Sequence, residues 1–478
     1  MEFIRSAWWQ ALMTNPDQLR QRVANALSQI MVISTRPDEL EDLGTAIGSF
    51  HDMLLRHAFG NFRDLLYDVT LHPAMGFYLS HAGNQRSDSS INRFPDENYA
   101  REIMQLFSIG LFELNSDGTR RKDSSGNDIP TYDNSDIREF AKIFTGLTYT
   151  TDEGTNGADE DFEQAFLATE TCRIPMAMFD QFHEPGEKRL LNGEVVPSGQ
   201  TGLQDVNDAI DNLFNHPNVG PFIGRLLIQR LVKSNPSHAY IGRVAAAFNN
   251  NGSGIRGDMR AVIKAILLDA EARNPSFISD DTHGMLREPF IRYTQLCRSF
   301  EARNANGENL FYNAGYQAAE NLSQYPFASP SVFNFYMPDY QPLGPLLNGD
   351  VDAPEFQITT SVSTIKYFNF MEQIILGDEL MDIVGREAED PDEELTSTIP
   401  PISNVGLNLD PYAAMEGNVA AVIERLNLIL TYGSMSDEML AIISQAVTDL
   451  YSADGDWDDA VRFAILLFMT SPEYAILK

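Results

Sequence analysis

The feature that most constrains this chain is an amphipathic helix pattern in residues 92–115, of a kind that recurs along the sequence. The segment reads NRFPDENYAREIMQLFSIGLFELN. Pro95 and Asp96 predict the helix start, because proline is tolerated in a first turn and an aspartate side chain caps free backbone N–H groups. The apolar positions recur at spacings of three and four and form one stripe: Tyr99, Ile103, Leu106 and Phe107. This stripe predicts a helix that is buried along one face.

Similar patterns elsewhere predict a mainly α protein, built as a multi-helix orthogonal or antiparallel bundle. Residues 16–34 form one amphipathic pattern, and residues 203–273 form four more. The connections between those four are short and rich in helix breakers, which favours antiparallel neighbours. An Asp-Gly and a Ser-Gly turn dipeptide predict one small β-hairpin in residues 115–132.

The length of 478 residues exceeds what one compact core usually needs, so one large domain and two domains are both alternatives. We expect a single helical domain over residues 1–478. Residues 304–358 are rich in proline, asparagine and aromatic residues, and we expect this irregular segment to wrap across the helical body. The expected parts are an N-terminal helical half (1–200, with the hairpin at 115–132), a helical bundle (201–303), the irregular segment (304–358) and C-terminal helices (359–478).

The charge balance excludes two classes of partner. With 34 basic and 68 acidic residues, the net charge of -34 repels nucleic acid and anionic membranes. This charge suits a protein in a salty or extracellular medium, or one that holds divalent cations. No apolar run reaches the roughly 18 residues of a membrane span, and the N-terminus lacks the pattern of a signal peptide. Cys172 and Cys297 are too few for a disulfide scaffold, so they either pair or stay as core thiols, and we favour thiols.

Five polar side chains stand inside the helix pattern of residues 92–115: Glu97, Asn98, Arg101, Glu102 and Gln105. Their spacing of four predicts a polar ladder beside the apolar stripe. Three interpretations are open. The ladder is a solvated face with one or two ion pairs, a buried polar network that locks the helix to its neighbours, or an active or metal site.

A second candidate lies in the turn FHEPGEKRLLNG, where His183, Glu184 and Lys188 surround a Pro-Gly pair. A His-Glu pair on a loop before an apolar segment is typical of a ligand or a general acid–base pair. It is also typical of a charged surface turn.

Several long motifs together resemble one known family. They are LRQRVANALSQIMVIS, HPAMGFYLS, PDENYAREIMQLFSIGLFELNSDGT, IREFAKIFTGLTY, FHEPGEKRLLNG, NLFNHPNVGPFIGRLLIQRLVKSNPS, FNNNGSGIRGDMRAVIKAILLD, LREPF and SPSVFNFYMPDYQPLG. Over nearly its whole length the chain is similar to the bacterial family of uncharacterised domains known as DUF 1800. The resemblance implies a largely helical, periplasmic or extracellular protein without an established activity, and a partner from a sulfatase-like family that is often encoded nearby. Because the family's usual export signal is not found in this sequence, a cytoplasmic location stays open.

The first of two function hypotheses is a scaffold or binding module that acts with a partner protein or ligand. It is favoured because the sequence holds no G-x-S-x-G, H-E-x-x-H, phosphate-loop or C-x-x-C motif. The acidic surface and the aromatic-rich segment 304–358 would then be the contact surfaces.

The second hypothesis is a hydrolase, metal-assisted in one version, with its site around the ENYARE helix and the His183-Glu184 turn. Glu97 and Glu102 are five residues apart, about 140° round a helix, so both cannot face one ion. Glu102 with Asn98 and His183 is therefore the better set. On this hypothesis the catalytic residues are Glu102, His183 and Arg101, and the binding residues are Glu97, Asn98, Gln105, Glu184 and Lys188. A divalent metal is then the cofactor to test for.

Overall fold

The computed structural model of the protein describes residues 2–36, 40, 42–150, 162, 167–169, 171–280, 282–304, 320–377 and 405–478. Within these ranges the protein is mainly helical, which confirms the predicted fold class. Residues 305–319 of the predicted irregular segment and residues 378–404 of the predicted C-terminal helices lie outside the described residues. No described helix is both long and apolar enough to cross a membrane.

The described helices follow one another with short connections in much of the chain. In order they are α1 (Glu2–Thr14), α2 (Gln18–Ser28), α3 (Gly44–His57), α4 (Phe62–Leu71), α5 (Pro73–Tyr78), α6 (Asn98–Gln105), α7 (Asn134–Ile143), α8 (Gly202–Asn215), α9 (Val219–Leu231), α10 (His238–Asn249), α11 (Met259–Leu267), α12 (Ala270–Arg273), α13 (Pro289–Ser299), α14 (Pro345–Asn348), α15 (Ser361–Leu376), α16 (Asp410–Ala413), α17 (Val419–Thr431), α18 (Asp437–Asp454), α19 (Trp457–Thr470) and α20 (Pro472–Ala475). Short 3-10 helices cover Leu191–Gly193, Pro275–Ser279 and Pro354–Gln357.

The strands of the described residues are two residues long and pair antiparallel. The pairs are β1 (Leu147–Thr148) with β2 (Ala177–Met178), β3 (Lys188–Arg189) with β4 (Val195–Val196), β5 (Met285–Leu286) with β8 (Ile476–Leu477), and β6 (Arg303–Asn304) with β7 (Val405–Gly406). The sequence did not predict these pairs, because two residues are too few to show a period of two.

The predicted hairpin region folds back twice. Its turns lie at Gly118 and Gly126, which have φ angles of +79° and +85° that favour glycine. Antiparallel bridges join Phe112 to Pro130, Leu114 to Arg120 and Lys122 to Asp128. Each of three short extended segments therefore pairs with both others. The hairpin prediction is confirmed, with one more pass of the chain than expected.

The chain divides into two compact units. The first unit contains Leu19–His283 and Phe327–Asn334, and the second contains Glu2–Gln18, Gly284–Pro326 and Phe335–Lys478. The irregular segment thus contributes residues to both units. The predicted subdivision of a single domain stays a prediction.

The first unit has one continuous apolar core, which extends from Val23 in α2 to Ile266 in α11. The four helices predicted in residues 203–273 are confirmed as α8 to α11. In this unit α9 packs on α10 and α10 on α11, while α8 packs against α4 and α7. α7 also packs against α6 and β3, so it is the element shared by both candidate regions of the sequence.

The second unit is built around α19, which packs against α15, α17 and α18. α1 packs against α13, where the fully buried Trp9 meets Phe290 and Tyr293 with ring centroids 5.3 Å away in each case. Aromatic burial of this kind supplies a large share of a core's apolar area.

Candidate functional site

The helix that carries the polar ladder begins at Asn98, so Pro95 lies outside the first turn, in which the sequence placed it, and Asp96 lies two residues before the helix. Asp96 Oδ1 accepts the Asn98 backbone N–H at 2.7 Å, and Asn84 Oδ1 accepts the Asp96 N–H at 2.9 Å. The apolar stripe is buried, with Tyr99 at 1% and Ile103 at 0% exposure. Local sequence therefore sets both the start of α6 and its buried face.

The five polar residues of the ladder have two different environments. Asn98 is exposed, and Glu97, Arg101 and Gln105 are half-buried. Arg101 Nη2 lies 3.4 Å from Glu97 Oε2, and the two side chains are 41% and 39% exposed, so this ion pair contributes little stability. Glu102 is the buried member of the ladder, at 6% exposure. The solvated-face interpretation describes the other four.

Glu102 has an unusual environment for a carboxylate. Its Oε2 is buried and has no hydrogen-bond partner within the described part of the chain. Burial raises the pKa of the Glu102 carboxyl, and the neighbouring Arg101 charge opposes that rise.

Two tyrosines lie close enough to Glu102 to feel its charge. Burial, and then the charge of Glu102, raise the pKa of Tyr78 and of Tyr132 to about 12. The Tyr132 hydroxyl is buried and, among the residues that the structure describes, has no hydrogen-bond partner. Glu102 and Tyr132 thus each carry a buried polar atom without a hydrogen bond in the described part of the chain, which is uncommon for any one group in folded proteins.

His183 and Lys188, both singled out from the sequence, meet at Asp205, which the sequence analysis missed. His183 Nε2 lies 2.9 Å from Asp205 Oδ2 and 3.1 Å from Lys188 Nζ. Lys188 Nζ also donates to Asp205 Oδ2. The three side chains are at most 2% exposed. They form a buried cluster in which one carboxylate holds two nitrogen groups.

The electrostatics of Asp205 follow from its hydrogen bonds. Burial by itself raises the pKa of this carboxyl, but hydrogen bonds from His183, Gln200 and Lys188 together bring the pKa below its usual value. Gln200 Nε2 donates to Oδ1 at 3.0 Å, so both carboxylate oxygens have donors. Asp205 is therefore ionised at neutral pH.

The proton positions on His183 are set by its neighbours. Nδ1 lies 2.9 Å from the Thr145 carbonyl oxygen, which can only accept, so Nδ1 carries a proton. Nε2 then accepts from the Lys188 ammonium when the ring is neutral, or donates to Asp205 when the ring is charged. In both states each ring nitrogen has a partner from the protein.

The loop that carries His183 is held by backbone contacts. The Glu184 N–H donates to Thr145 Oγ1 at 2.9 Å, and Glu184 Oε2 accepts the Ser87 N–H at 3.1 Å. Gly146 has φ +87°, and a Cβ there would lie 3.0 Å from the His183 backbone nitrogen. This close approach requires glycine at position 146.

The structure does not join the two predicted regions into one site through contacts. Within the described residues, no hydrogen bond or ion pair links His183 to Glu102 or Asn98. The charge of Glu102 acts on Tyr78 of α5 and on Tyr132 before α7, whereas His183 contacts Asp205 of α8. The expected set of Glu102, Asn98 and His183 therefore has no contact that holds it together.

The position of Asp205 in the sequence already indicated a buried carboxylate, but our prediction of residues 203–273 as four helices did not use it. It precedes Ala209 by four residues and Leu213 by eight, and all three side chains are fully buried. An acidic residue on the apolar face of an amphipathic helix has to find a buried partner.

A second buried ion pair of the first unit lies outside both candidate regions. Lys233 and Glu271 form a buried ion pair at 3.0 Å, and Ser237 also donates to the Glu271 carboxylate at 2.6 Å. Cys172 and Cys297 are buried free thiols, the alternative that we favour from the sequence. Across the described ranges, no group of three or more His, Cys, Asp or Glu side chains is arranged to hold a metal ion.

Comparison with known proteins gives one match. The sequence model of a family described as "Protein of unknown function (DUF1800)" matches residues 1–476. No curated protein and no solved structure matches the chain. The matched range contains the Glu102 region and the Asp205 cluster.

Proposed function

The chain belongs to the DUF1800 family, whose function is unknown, and we propose that it works as a helical scaffold or binding module that acts with a partner protein or ligand. The periplasmic or extracellular location and the sulfatase-like partner that the family resemblance implies are part of this proposal.

One observation carries the proposal. His183, Lys188 and Asp205, the strongest candidates for acid–base chemistry, are at most 2% exposed and hydrogen-bond to one another. A general acid or base has to reach a proton on the substrate. A cluster that is this closed instead ties β3 and the His183 turn to α8, as expected of a rigid scaffold.

The surface supports a role in binding. The net charge of -34 favours partners with basic surfaces. In the second unit, the described part of the irregular segment exposes large apolar side chains, among them Met337 at 37%, Leu343 at 91% and Leu347 at 44%. Exposed apolar groups on a strongly acidic protein fit a contact surface.

The test is complex formation with a sulfatase-like protein from the same organism, the partner that the family resemblance implies. The two full-length proteins are co-expressed and analysed by size-exclusion chromatography with light scattering at low and high salt. We expect a complex that weakens as salt rises, because charge attraction is screened. We expect Leu343→Asp to weaken it. Leu268→Asp, a matched change at a 61% exposed leucine of the first unit, should not.

The absence of any complex or co-purified ligand at every salt concentration contradicts the proposed function. Equal weakening by the two leucine variants contradicts the assignment of the contact surface to the irregular segment.

A second candidate, a hydrolase around the ENYARE helix, is favoured by the environment of Glu102. A carboxyl whose pKa is raised by burial keeps its proton to higher pH and can serve as a general acid. The test is turnover of a panel of ester and glycoside substrates by the wild type and Glu102→Gln, with and without a chelator. Turnover that Glu102→Gln abolishes supports the hydrolase, and loss on chelation supports its metal-assisted version. Turnover unchanged in Glu102→Gln removes Glu102 from the mechanism.

A further inference from the structure

Three reactive groups of the first unit lie within hydrogen-bond distance of one another in a buried site. Lys188 Nζ donates to Asp205 Oδ2, and His183 Nε2 lies 3.1 Å from that amine nitrogen and 2.9 Å from that carboxylate oxygen. Lys188, Asp205 and His183 are 1%, 0% and 2% exposed. The fold therefore holds a primary amine, a carboxyl group and a proton carrier together, away from bulk water.

This arrangement contains the parts of an amide-forming reaction. The Lys188 amine is a nucleophile, and the carbon that it would attack, Cγ of Asp205, is bonded to the oxygen that already accepts from it. His183 is the proton carrier. Its Nδ1 hydrogen is held by the Thr145 carbonyl oxygen at 2.9 Å, so the nitrogen that contacts both reactants is the basic one.

Gln200 contacts the other oxygen of the same carboxylate. Its Nε2 donates to Asp205 Oδ1 at 3.0 Å. When an amine adds to a carboxyl group, negative charge develops on the oxygen that stays, and a donor fixed at that oxygen stabilises the charge. The cluster thus has a nucleophile, an acid–base group and an oxyanion donor around one carboxyl carbon.

We propose that Lys188 and Asp205 join in an intramolecular amide bond, with His183 as the acid–base catalyst, and that this bond links β3 covalently to α8. Until the bond forms, the two side chains act as a buried ion pair. The inference goes beyond the proposed function, because it concerns a bond within the chain and does not depend on what the chain binds.

The reaction needs no co-reactant. The reactants are the Lys188 ammonium and the Asp205 carboxylate. His183 Nε2 takes one proton from Nζ and gives it to Oδ2, which leaves a neutral amine beside a neutral acid. The Nζ–Cγ bond then forms, and a second proton passes through His183 to the same oxygen. The Cγ–Oδ2 bond breaks, one water molecule leaves, and the third proton stays on the amide nitrogen.

Two opposing effects set the rate of this reaction. Hydrogen bonds lower the pKa of the Asp205 carboxyl and favour its ionised form, so the first proton transfer is unfavourable. Fixed proximity acts against this barrier, because oriented intramolecular reactions reach effective concentrations of about 10⁵–10⁸ M. Burial also favours neutral groups over charged ones and keeps water away from the product. We therefore expect the bond to form slowly after folding and to persist.

A second buried pair of the same unit lacks a proton carrier and provides an internal control. Lys233 Nζ lies 3.0 Å from Glu271 Oε1, and the two side chains are 3% and 7% exposed. The Glu271 carboxylate also accepts from the backbone N–H and the hydroxyl of Ser237. Within the described residues, no histidine ring is hydrogen-bonded to Lys233 or Glu271. We expect this pair to stay unlinked.

The test is mass spectrometry of the full chain. Protein made by cell-free synthesis is sampled at increasing times after folding, and its intact mass is followed. The wild type should become lighter than the mass of its sequence by one water molecule. After denaturation and trypsin digestion, cleavage after Lys188 should be blocked, and residues 174–189 should be joined to residues 190–225. No link should join Lys233 to Glu271.

Three variants separate the roles of the groups. Lys188→Arg keeps a buried cation without an amine nucleophile and should retain the full mass. His183→Gln keeps hydrogen-bonding atoms but cannot carry a proton, so bond formation should slow by about 10²–10⁴-fold. Glu184→Gln changes the adjacent carboxylate, which accepts the Ser87 N–H outside the cluster, and should link as fast as the wild type. The wild-type mass decides the inference even if a variant does not fold.

A wild-type mass that stays at the sequence value overturns the inference. A loss of water that the peptides place elsewhere, for example in a cyclic imide at Asp117 before Gly118, also overturns it. Equal rates in the wild type and His183→Gln, or equal linkage of Lys233 to Glu271, overturn the assignment of the proton transfers to His183.

Discussion

Replacing Asp205 by asparagine should destabilise the first unit strongly. Asparagine has nearly the same shape and keeps one acceptor oxygen, so the change removes the charge with little change in packing. Lys188 and His183 then remain buried beside a neutral amide, with Lys188 at 1% exposure. A buried cation is stabilised by its carboxylate partner, so removing the charge of that carboxylate destabilises the folded state.

The magnitude follows from the contacts of Asp205. Its oxygens accept hydrogen bonds from His183, Lys188 and Gln200, and the carboxylate is fully buried. Removing one partner of a buried ion pair typically costs about 3–5 kcal/mol. We expect a value in this range, equivalent to roughly two to three and a half powers of ten in the opening equilibrium.

The two units need separate probes. The three tryptophans, Trp8, Trp9 and Trp457, all belong to the second unit, so their fluorescence does not report on the first. Backbone amide exchange in α8, followed by mass spectrometry, measures the opening free energy of the first unit at the site of the change. Asp208→Asn is the matched control, because Asp208 lies on the same helix and accepts from the same Gln200, at 2.8 Å.

We expect the opening free energy of α8, measured by amide exchange, to fall by about 3–5 kcal/mol in Asp205→Asn and to change by less than about 1 kcal/mol in Asp208→Asn. Replacing Lys188 and Asp205 together by apolar residues, Lys188→Met with Asp205→Leu, should recover part of the loss, because no buried cation is left beside a neutral amide, while His183 Nε2 loses both its partners. Equal exchange in Asp205→Asn and Asp208→Asn would refute the view that this cluster locks the fold.

Three further predictions concern pH and backbone strain in the first unit. Three buried histidines have their pKa lowered by burial to about 4: His51, His72 and His81. These rings take up protons on unfolding, so the unfolding free energy should fall as pH drops from about 6.5 to about 4, with uptake of up to three protons. An opening free energy from amide exchange that does not change over this pH range contradicts the prediction. Burial raises the pKa of Glu102 in the folded state, so the wild type should lose stability as pH rises from 4.5 through the folded pKa. Glu102→Gln should remove that loss and be at least as stable as the wild type at pH 7 in the same assay. Gly146→Ala places a Cβ 2.9 Å from the Phe179 carbonyl oxygen and should lower the unfolding free energy by about 1–3 kcal/mol. Gly126 has a similar φ of +85° with open space around it, so Gly126→Ala should lower the free energy less in urea unfolding. Equal losses in the two variants would rule out crowding as the cause.

Much of the helical fold follows from local patterns. The four helices of residues 203–273 and the turns at Gly118 and Gly126 appear as predicted, and α6 begins at Asn98, whose N–H the predicted capping residue Asp96 accepts. Each depends on residues a few positions apart, through capping, helical period or turn conformation. These features depend on residues that are close in the sequence, so they can be predicted without knowledge of the tertiary contacts.

The candidate sites were only partly predictable. His183 and Lys188 were singled out from their turn, but Asp205 was not, although it lies 22 residues from His183 in the chain. Of the adjacent residues Arg101 and Glu102, one is 41% exposed and the other 6%. The helical period separates them, because at about 100° per residue Glu102 lies at the edge of the stripe of Tyr99 and Ile103 and Arg101 lies opposite it. What the sequence does not give is which groups from other elements surround the buried carboxyl.

The amino-acid sequence by itself determined the helices, their apolar faces, the tight turns and the strongly acidic charge. The tertiary structure decided which charged groups lose water and which partner each one meets: Lys188 receives a carboxylate from α8, whereas Glu102 Oε2 is buried without a hydrogen-bond partner among the described residues. The reason is that helix propensity and periodicity act over a few residues. The free energy of a buried charge depends instead on every group packed around it, and those groups come from distant parts of the chain.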